Sequence, residues 1–231
     1  MWESIRKMWK IPELRNKILY TLGMLLLFRL VGVIPAPGVD AARVLTGTAT
    51  DLPILQLVNM MTGSNFANMT IMAMGITPYI NASIIMQLLT IAIPALERMQ
   101  RDEEGGGREK IARITRYVTV GLAAVQAIGL VAGLGYIKSG WFNYVLVGIS
   151  MAGGSALAMW IGERISEKGV GNGISMLIMA GILCNLFNGI VSGFPNASVG
   201  GTGSGWMNLL VIAVMFVIMV VVVTFVDMGE R

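Results

Sequence analysis

Histidine is absent from this chain, cysteine occurs once, and charged residues make up only 13% of its 231 positions. Each shortage closes off a class of function. Without histidine a Ser–His dyad is impossible, and the sequence offers neither a zinc-ligand set nor paired membrane aspartates. No catalytic residue, metal or cofactor is therefore assigned, and the chain does not read as an enzyme. The single cysteine, Cys184, lies inside an apolar stretch. It can form no internal disulfide and reads as a small packing residue. A soluble domain carries about 25% charged residues, so about half of the usual solvating surface is missing.

Apolar runs fill the deficit. Hydrophobic residues make up 55% of the chain, and mean hydropathy is +0.72. Six runs, at residues 18–34, 71–93, 117–137, 142–161, 174–191 and 206–226, each approach the ~20 residues that a bilayer-spanning helix needs. The expected fold class is all-α, a polytopic transmembrane helix bundle of six spans. The first run exceeds the roughly 7–15 apolar residues of a signal peptide and is expected to be retained.

The basic residues fall at alternate ends of these runs. Arg6, Lys7, Lys10, Arg15 and Lys17 precede the first, six more lie between the second and third, Arg164 and Lys168 follow the fourth, and Arg231 follows the sixth. Fourteen of the 17 basic residues are accounted for in this way, which places both termini on the cytoplasmic side. The net charge of +4 follows from that asymmetry and implies no nucleic-acid partner. Between the second and third runs, QRDEEGGGREK (100–110) has nearly cancelling charges and three glycines, and reads as a solvated connector.

Two glycine-marked stretches stand out. In EKGVGNGIS (167–175) three glycines are spaced two apart. A phosphate-binding loop would need a preceding strand and a GKS- or GKT-type lysine, and neither is present. A tight turn is the better account, with Asn172 capping a helix that Gly173 begins. In MGITPYI (74–80), Pro78 interrupts an apolar run and should separate a short preceding piece from the helix behind it. Irregular backbone at membrane depth is tolerated where protein or an aqueous cavity covers it. Each stretch is marked by an isoleucine pair four apart, Ile76 with Ile80 and Ile174 with Ile178, and each pair shares one helix face. Such pairs usually just pack. From spacing alone, packing remains the favoured account and a lined pathway the alternative.

LFRLVGVIPAPGVD (27–40), MGITPYINASIIMQLL (74–89), ITRYVTV (114–120), WIGERISEKGVGNGIS (160–175) and the final VDMGER closely resemble the bacterial SecY family, the protein-conducting channel of the general secretion pathway. The resemblance covers essentially the whole chain, in order. It implies a cytoplasmic N-terminal segment at 1–17 and the first five-helix half of the channel at 18–192. An external loop and a sixth helix would follow at 193–231, ending at the start of a cytoplasmic loop, with four further helices absent. It also implies that Ile76, Ile80, Ile174 and Ile178 belong to an apolar pore ring. Branched apolar side chains cannot coordinate an ion and would seal by dewetting. A plug-like segment over 59–73, a short half-helix interrupted at Gly63, Ser64 and Asn65, would also contain Phe66, Ala67, Asn68 and Met69. One wall of a lateral gate would be formed by Asn81, Ile84, Ile85, Gln87 and Leu88, with Gln126 joining Asn81 in its polar cluster. Intramembrane amide contacts of that kind are worth about 0.6–2 kcal/mol, enough to hold a gate shut without locking it.

Arg29 lies within the first run, where a central charge costs about 2.5–3.5 kcal/mol. It sits five residues before Ile34 and is expected to snorkel outward or to find a carbonyl. Gly129 with Gly133, and the stretch 148–155, are expected at close helix contacts. The partners implied are the remaining SecY helices as a second half, in the same chain or a separate one, and SecE-like and SecG-like subunits. A SecA motor or the ribosome, signal sequences, nascent chains and lipid complete the set. The location implied is the bacterial cytoplasmic (inner) membrane. Two alternatives remain from other classes: a secondary transporter with broken helices, disfavoured because the broken segment carries no charge for ion coupling, and an inert half-channel.

Overall fold

A computed structural model describes residues 12–40, 44, 53–101, 106–138, 140–199, 214 and 218–225. The expectations for residues 1–11, for 102–105 of the 100–110 connector and for most of the sixth run lie outside the described residues. The named elements are all helices: α1 (Pro12–Val31), α2 (Pro53–Thr62), α3 (Thr77–Ala92), α4 (Pro94–Arg101), α5 (Gly107–Gly133), α6 (Trp141–Lys168) and α7 (Gly173–Val199). Among the described residues there is no strand, only isolated antiparallel bridges pairing Pro35 with Thr70 and Val39 with Ile137.

The helices begin and end where local chemistry requires. Pro12 opens α1, where its missing N–H is no loss, and Arg29 in the last turn suits the negative end of the helix dipole. Ile76 caps α3 and Pro78 sits in its first turn, so the break anticipated around Pro78 is present. At the other end Ile93 is extended and Pro94 starts α4 at an angle of 102° to α3. Helices α5 and α6 run well past their apolar stretches. Their charged turns are carried by pairs along one helix, Arg113–Glu109 at 2.9 Å and Arg164–Glu167 at 2.7 Å, and by one pair across helices, Arg116–Glu163 at 2.9 Å.

By length and composition, Glu109–Gly133 and Trp141–Lys168 are long and apolar enough to cross a membrane, and the bent α3–α4 pair would make a third. Helix α5 packs along α6 and α3, and α1 lies against α6. Residues up to Ile182 form one compact unit with two apolar cores. Phe66, Met69, Val147 and Met151 centre one core, and Met72, Ile161, Ile165 and Leu177 centre the other. Leu183–Arg231 form a second unit. Within it, residues 218–225 are helical, and Thr224 donates to the Val220 carbonyl at 2.7 Å.

Two expectations need correction. Gly129 and Gly133 are not at a helix contact, since an added Cβ would meet nothing within 4 Å at either position. The close approaches on α6 are instead at Gly148, against the Ile128 side chain, and Gly154, against the Ile71 carbonyl. Nor does a helix resume in residues 59–73 after the interruption expected, and found, at Gly63, Ser64 and Asn65. Helix α2 ends at Thr62, and the chain then runs through consecutive turns to Ile76. Gly63, Ser64, Met69 and Gly75 have φ of 67°, 69°, 44° and 52°. Left-handed residues at this density cannot propagate a right-handed helix.

Candidate functional site

The glycine turn after α6 sets the course of α7, and each glycine answers a different demand. A Cβ on Gly169 would stand 2.5 Å from Thr21 Oγ1 and 2.6 Å from the Ile165 carbonyl oxygen. Gly171 has φ +69° in open space, so there the demand is conformational. Gly173 lies against the Gly162 carbonyl, and a Cβ would also sit 2.8 Å from Ile165 Cβ. The expected cap is present: the Ile174 N–H donates to Asn172 Oδ1 at 3.0 Å. Two side chains then fix the turn to its neighbours. Ser166 Oγ accepts from the Gly173 N–H at 2.9 Å, and Thr21 Oγ1 on α1 accepts from the Val170 N–H at 3.2 Å.

With α7 held this close to α6, both isoleucine pairs reach one place. Ile76 is buried, and Ile80, Ile174 and Ile178 pack partly buried into the same cluster, around Met72, Ile161, Ile165 and Leu177. They meet over Gly162, where an added Cβ would stand 3.4 Å from Ile76 Cδ1, Ile174 Cγ1 and Leu177 Cδ1, an ordinary contact distance. Residues almost a hundred positions apart thus share one apolar knot. Sequence reasoning missed Met72, Gly162, Leu177 and Thr21. Nothing in the local pattern around Thr21 marks it as the anchor of a turn 149 residues away.

Residues 59–73 are tucked against the end of α1. Phe66, Met69 and Met72 are almost fully buried, Asn65 is 5% exposed, Gly63 is buried, Ser64 and Ala67 are partly buried, and Asn68 is exposed. The Ala67 N–H donates to Asn59 Oδ1 at 2.9 Å and the Phe66 N–H to Thr62 Oγ1 at 3.3 Å. Backbone pairs tie the far end down: the Ala36 N–H donates to the Met69 carbonyl and the Ile71 N–H to the Ile34 carbonyl, both at 3.0 Å. Arg29 finds the carbonyl expected of it, since Nη1 donates to Gly63 O at 2.8 Å.

Along α3, Ile84, Ile85, Gln87 and Leu88 are exposed, and the Gln87 carbonyl accepts from Thr90 Oγ1 at 2.7 Å. Asn81 and Gln126 are both partly buried, on the packed helices α3 and α5. Among the described residues no hydrogen bond joins their amides.

A family model described as SecY matches residues 70–231. The chain belongs to the SecY family. The protein translocase subunit SecY of Streptomyces scabiei is 36% identical over 256 residues, covering 100% of this chain and 56% of its own length. That of Pyrenomonas salina is 42% identical over 186 residues, covering 80% and 45%. That of Aquifex aeolicus is 33% identical over 242 residues, covering 100% and 56%. The chain therefore spans about half the length of the curated relatives it matches. Among solved structures, Sec61 in the canine ribosome-channel complex from the endoplasmic reticulum superposes with a TM-score of 0.66 at 22% identity, over 94% of this chain and 51% of that one. A structure described as a protein-conducting channel gives the same values. At this identity the likeness concerns the fold. These SecY matches agree with the motifs at 74–89 and 160–175.

Proposed function

We propose that this chain supplies the N-terminal half of the central pore-forming subunit of the Sec translocation channel. That subunit passes unfolded secretory chains across the bacterial cytoplasmic membrane and releases membrane spans sideways into lipid. The observation that carries this function is the convergence of Ile76, Ile80, Ile174 and Ile178 in one apolar cluster from two distant segments. An ordinary packing role needs only neighbours on each helix. Two broken or glycine-led helix starts brought to one point suit a constriction. The turn segment 63–73, capped on the cluster by Met72, would act as the movable plug. The exposed face of α3 around Ile84, Ile85 and Leu88, with Asn81, Gln87 and Gln126, would form one wall of the lateral gate.

A pore between two walls needs both, so activity would require the remaining SecY helices, braced by SecE-like and SecG-like subunits. A SecA motor or the ribosome would feed it with chains bearing signal sequences. No sequence-specific nucleic-acid contact is part of the function. The domain layout proposed is a cytoplasmic segment at 1–17, a five-helix half from 18 whose last helix runs past the expected boundary at 192 to Val199, and then an external loop with the sixth helix.

The test is conductance and secretion in a complete channel carrying this half. Replacing Ile76, Ile80, Ile174 and Ile178 together with glycine should raise resting ion leak at least severalfold. Unchanged leak would refute the sealing role. In cells depleted of the intact channel, this chain should restore secretion only when the remaining helices are supplied. Rescue by this chain alone would refute the half-channel proposal, and substrate-coupled small-solute flux would favour the transporter.

A further inference from the structure

Arg29 presents a physical problem that one hydrogen bond does not solve. It lies inside the first apolar run, and its Nη1 donates to the Gly63 carbonyl at 2.8 Å. Its Nε and Nη2 are buried with no partner, as is Nδ2 of Asn65. Asn65, in the turn segment, lays its amide over Gly32 just past the end of α1, where a Cβ would meet Oδ1 at 2.8 Å. The guanidinium likewise fills the space over Gly63, where a Cβ would come within 2.5 Å of Nη2. Both glycines are bare where these polar groups press against backbone. Between these contacts and the backbone pairs at Met69 and Ile71 the chain turns through Ser64 and Met69, both left-handed.

We infer that Arg29 is a positioning residue that latches the head of the turn segment 63–70 onto α1. A buried hydrogen-bond donor left unpaired is costly, and non-glycine residues in the left-handed region store strain. The seated segment therefore carries unspent donors and strained backbone, against which stand the burial of Phe66 and Met69 and the charge-assisted bond from Arg29. That bond ties a charged side chain of α1 directly to the segment's first turn. The far end is held by backbone pairing to residues 34–36, so loss of Arg29 should free the head while the tail stays seated. Any consequence for gating rests on the proposed channel function; the latch itself does not.

The experiment is hydrogen exchange on the full 231-residue chain in lipid nanodiscs, following the amides of Phe66, Ala67 and Thr70. Arg29→Leu should speed their exchange about tenfold or more, equivalent to ~1.4 kcal/mol of local opening. Arg29→Lys keeps a charged donor and should stay within about threefold of the parent. Gly63→Ala, which would press a methyl group into the guanidinium, should reproduce the leucine variant. Exchange within twofold of the parent in Arg29→Leu overturns the inference. So does an equal rise at Val147 to Ser155 of α6, because Arg29 would then support the whole bundle. Faster exchange at the segment with unchanged ion leak in the complete channel supports the latch and counts against the segment as the seal.

Discussion

Replacing Gly173 with alanine tests how the apolar knot is assembled. The added methyl would run into the Gly162 carbonyl and lie 2.8 Å from Ile165 Cβ. Both obstacles are fixed to the α6 backbone and cannot rotate away. Overpacking a well-filled site costs about 1–3 kcal/mol, and a clash with backbone belongs at the top of that range. For a chain of this size ~3 kcal/mol corresponds to a fall in Tm of about 6–12 °C. Two neighbouring glycines serve as internal controls. Gly171→Ala meets no atom but must hold φ at +69°, a penalty of about 1–2 kcal/mol. Gly153→Ala on α6 meets nothing within 4 Å and should gain up to ~1 kcal/mol of helix propensity. Thermal unfolding in mild detergent, followed by circular dichroism, should rank the three as Gly173→Ala least stable, then Gly171→Ala, then Gly153→Ala. Parent-like stability of Gly173→Ala, or a larger loss at Gly171, would refute the close-approach explanation.

Other outcomes are expected from single contacts. Thr21→Val removes the acceptor of the Val170 N–H and should cost about 1 kcal/mol, seen as faster hydrogen exchange at Val170 with helix α5 unchanged. A double-mutant cycle on Arg116→Gln and Glu163→Gln should give a coupling below ~1 kcal/mol, because the two side chains are 46% and 22% exposed and surface pairs are weak; coupling near 3 kcal/mol would indicate a desolvated pair. Single cysteines at Ile84, Ile85 or Leu88 in a complete channel with Cys184→Ala should crosslink to an arrested secretory chain bearing a cysteine in its apolar signal, and crosslinks confined to α6 would refute a lateral gate on α3.

The amino-acid sequence by itself determined the helical class, the break at Pro78, the Asn172 cap and the family. These are local or compositional facts: run length, a missing N–H, a side chain two residues from the N–H that it accepts, and short motifs in a fixed order. It also marked the two isoleucine pairs, yet it could not choose between packing and convergence, because spacing along one helix says nothing of what faces it. Tertiary structure decided that both pairs enter one cluster, and the reason is the absence of a side chain at Gly173, whose backbone lies against the Gly162 carbonyl. It decided which glycines matter: Gly148 and Gly154 face neighbours, whereas Gly129 and Gly133 face open space despite their helical spacing. It also decided the shape of residues 63–76. Gly63, Ser64 and Asn65 marked an interruption, but burial of Phe66 and Met69 and the ties to Arg29, Ile34 and Ala36 decided that no helix resumes before Ile76. They hold Ser64 and Met69 in left-handed backbone, which no local preference of serine or methionine would select.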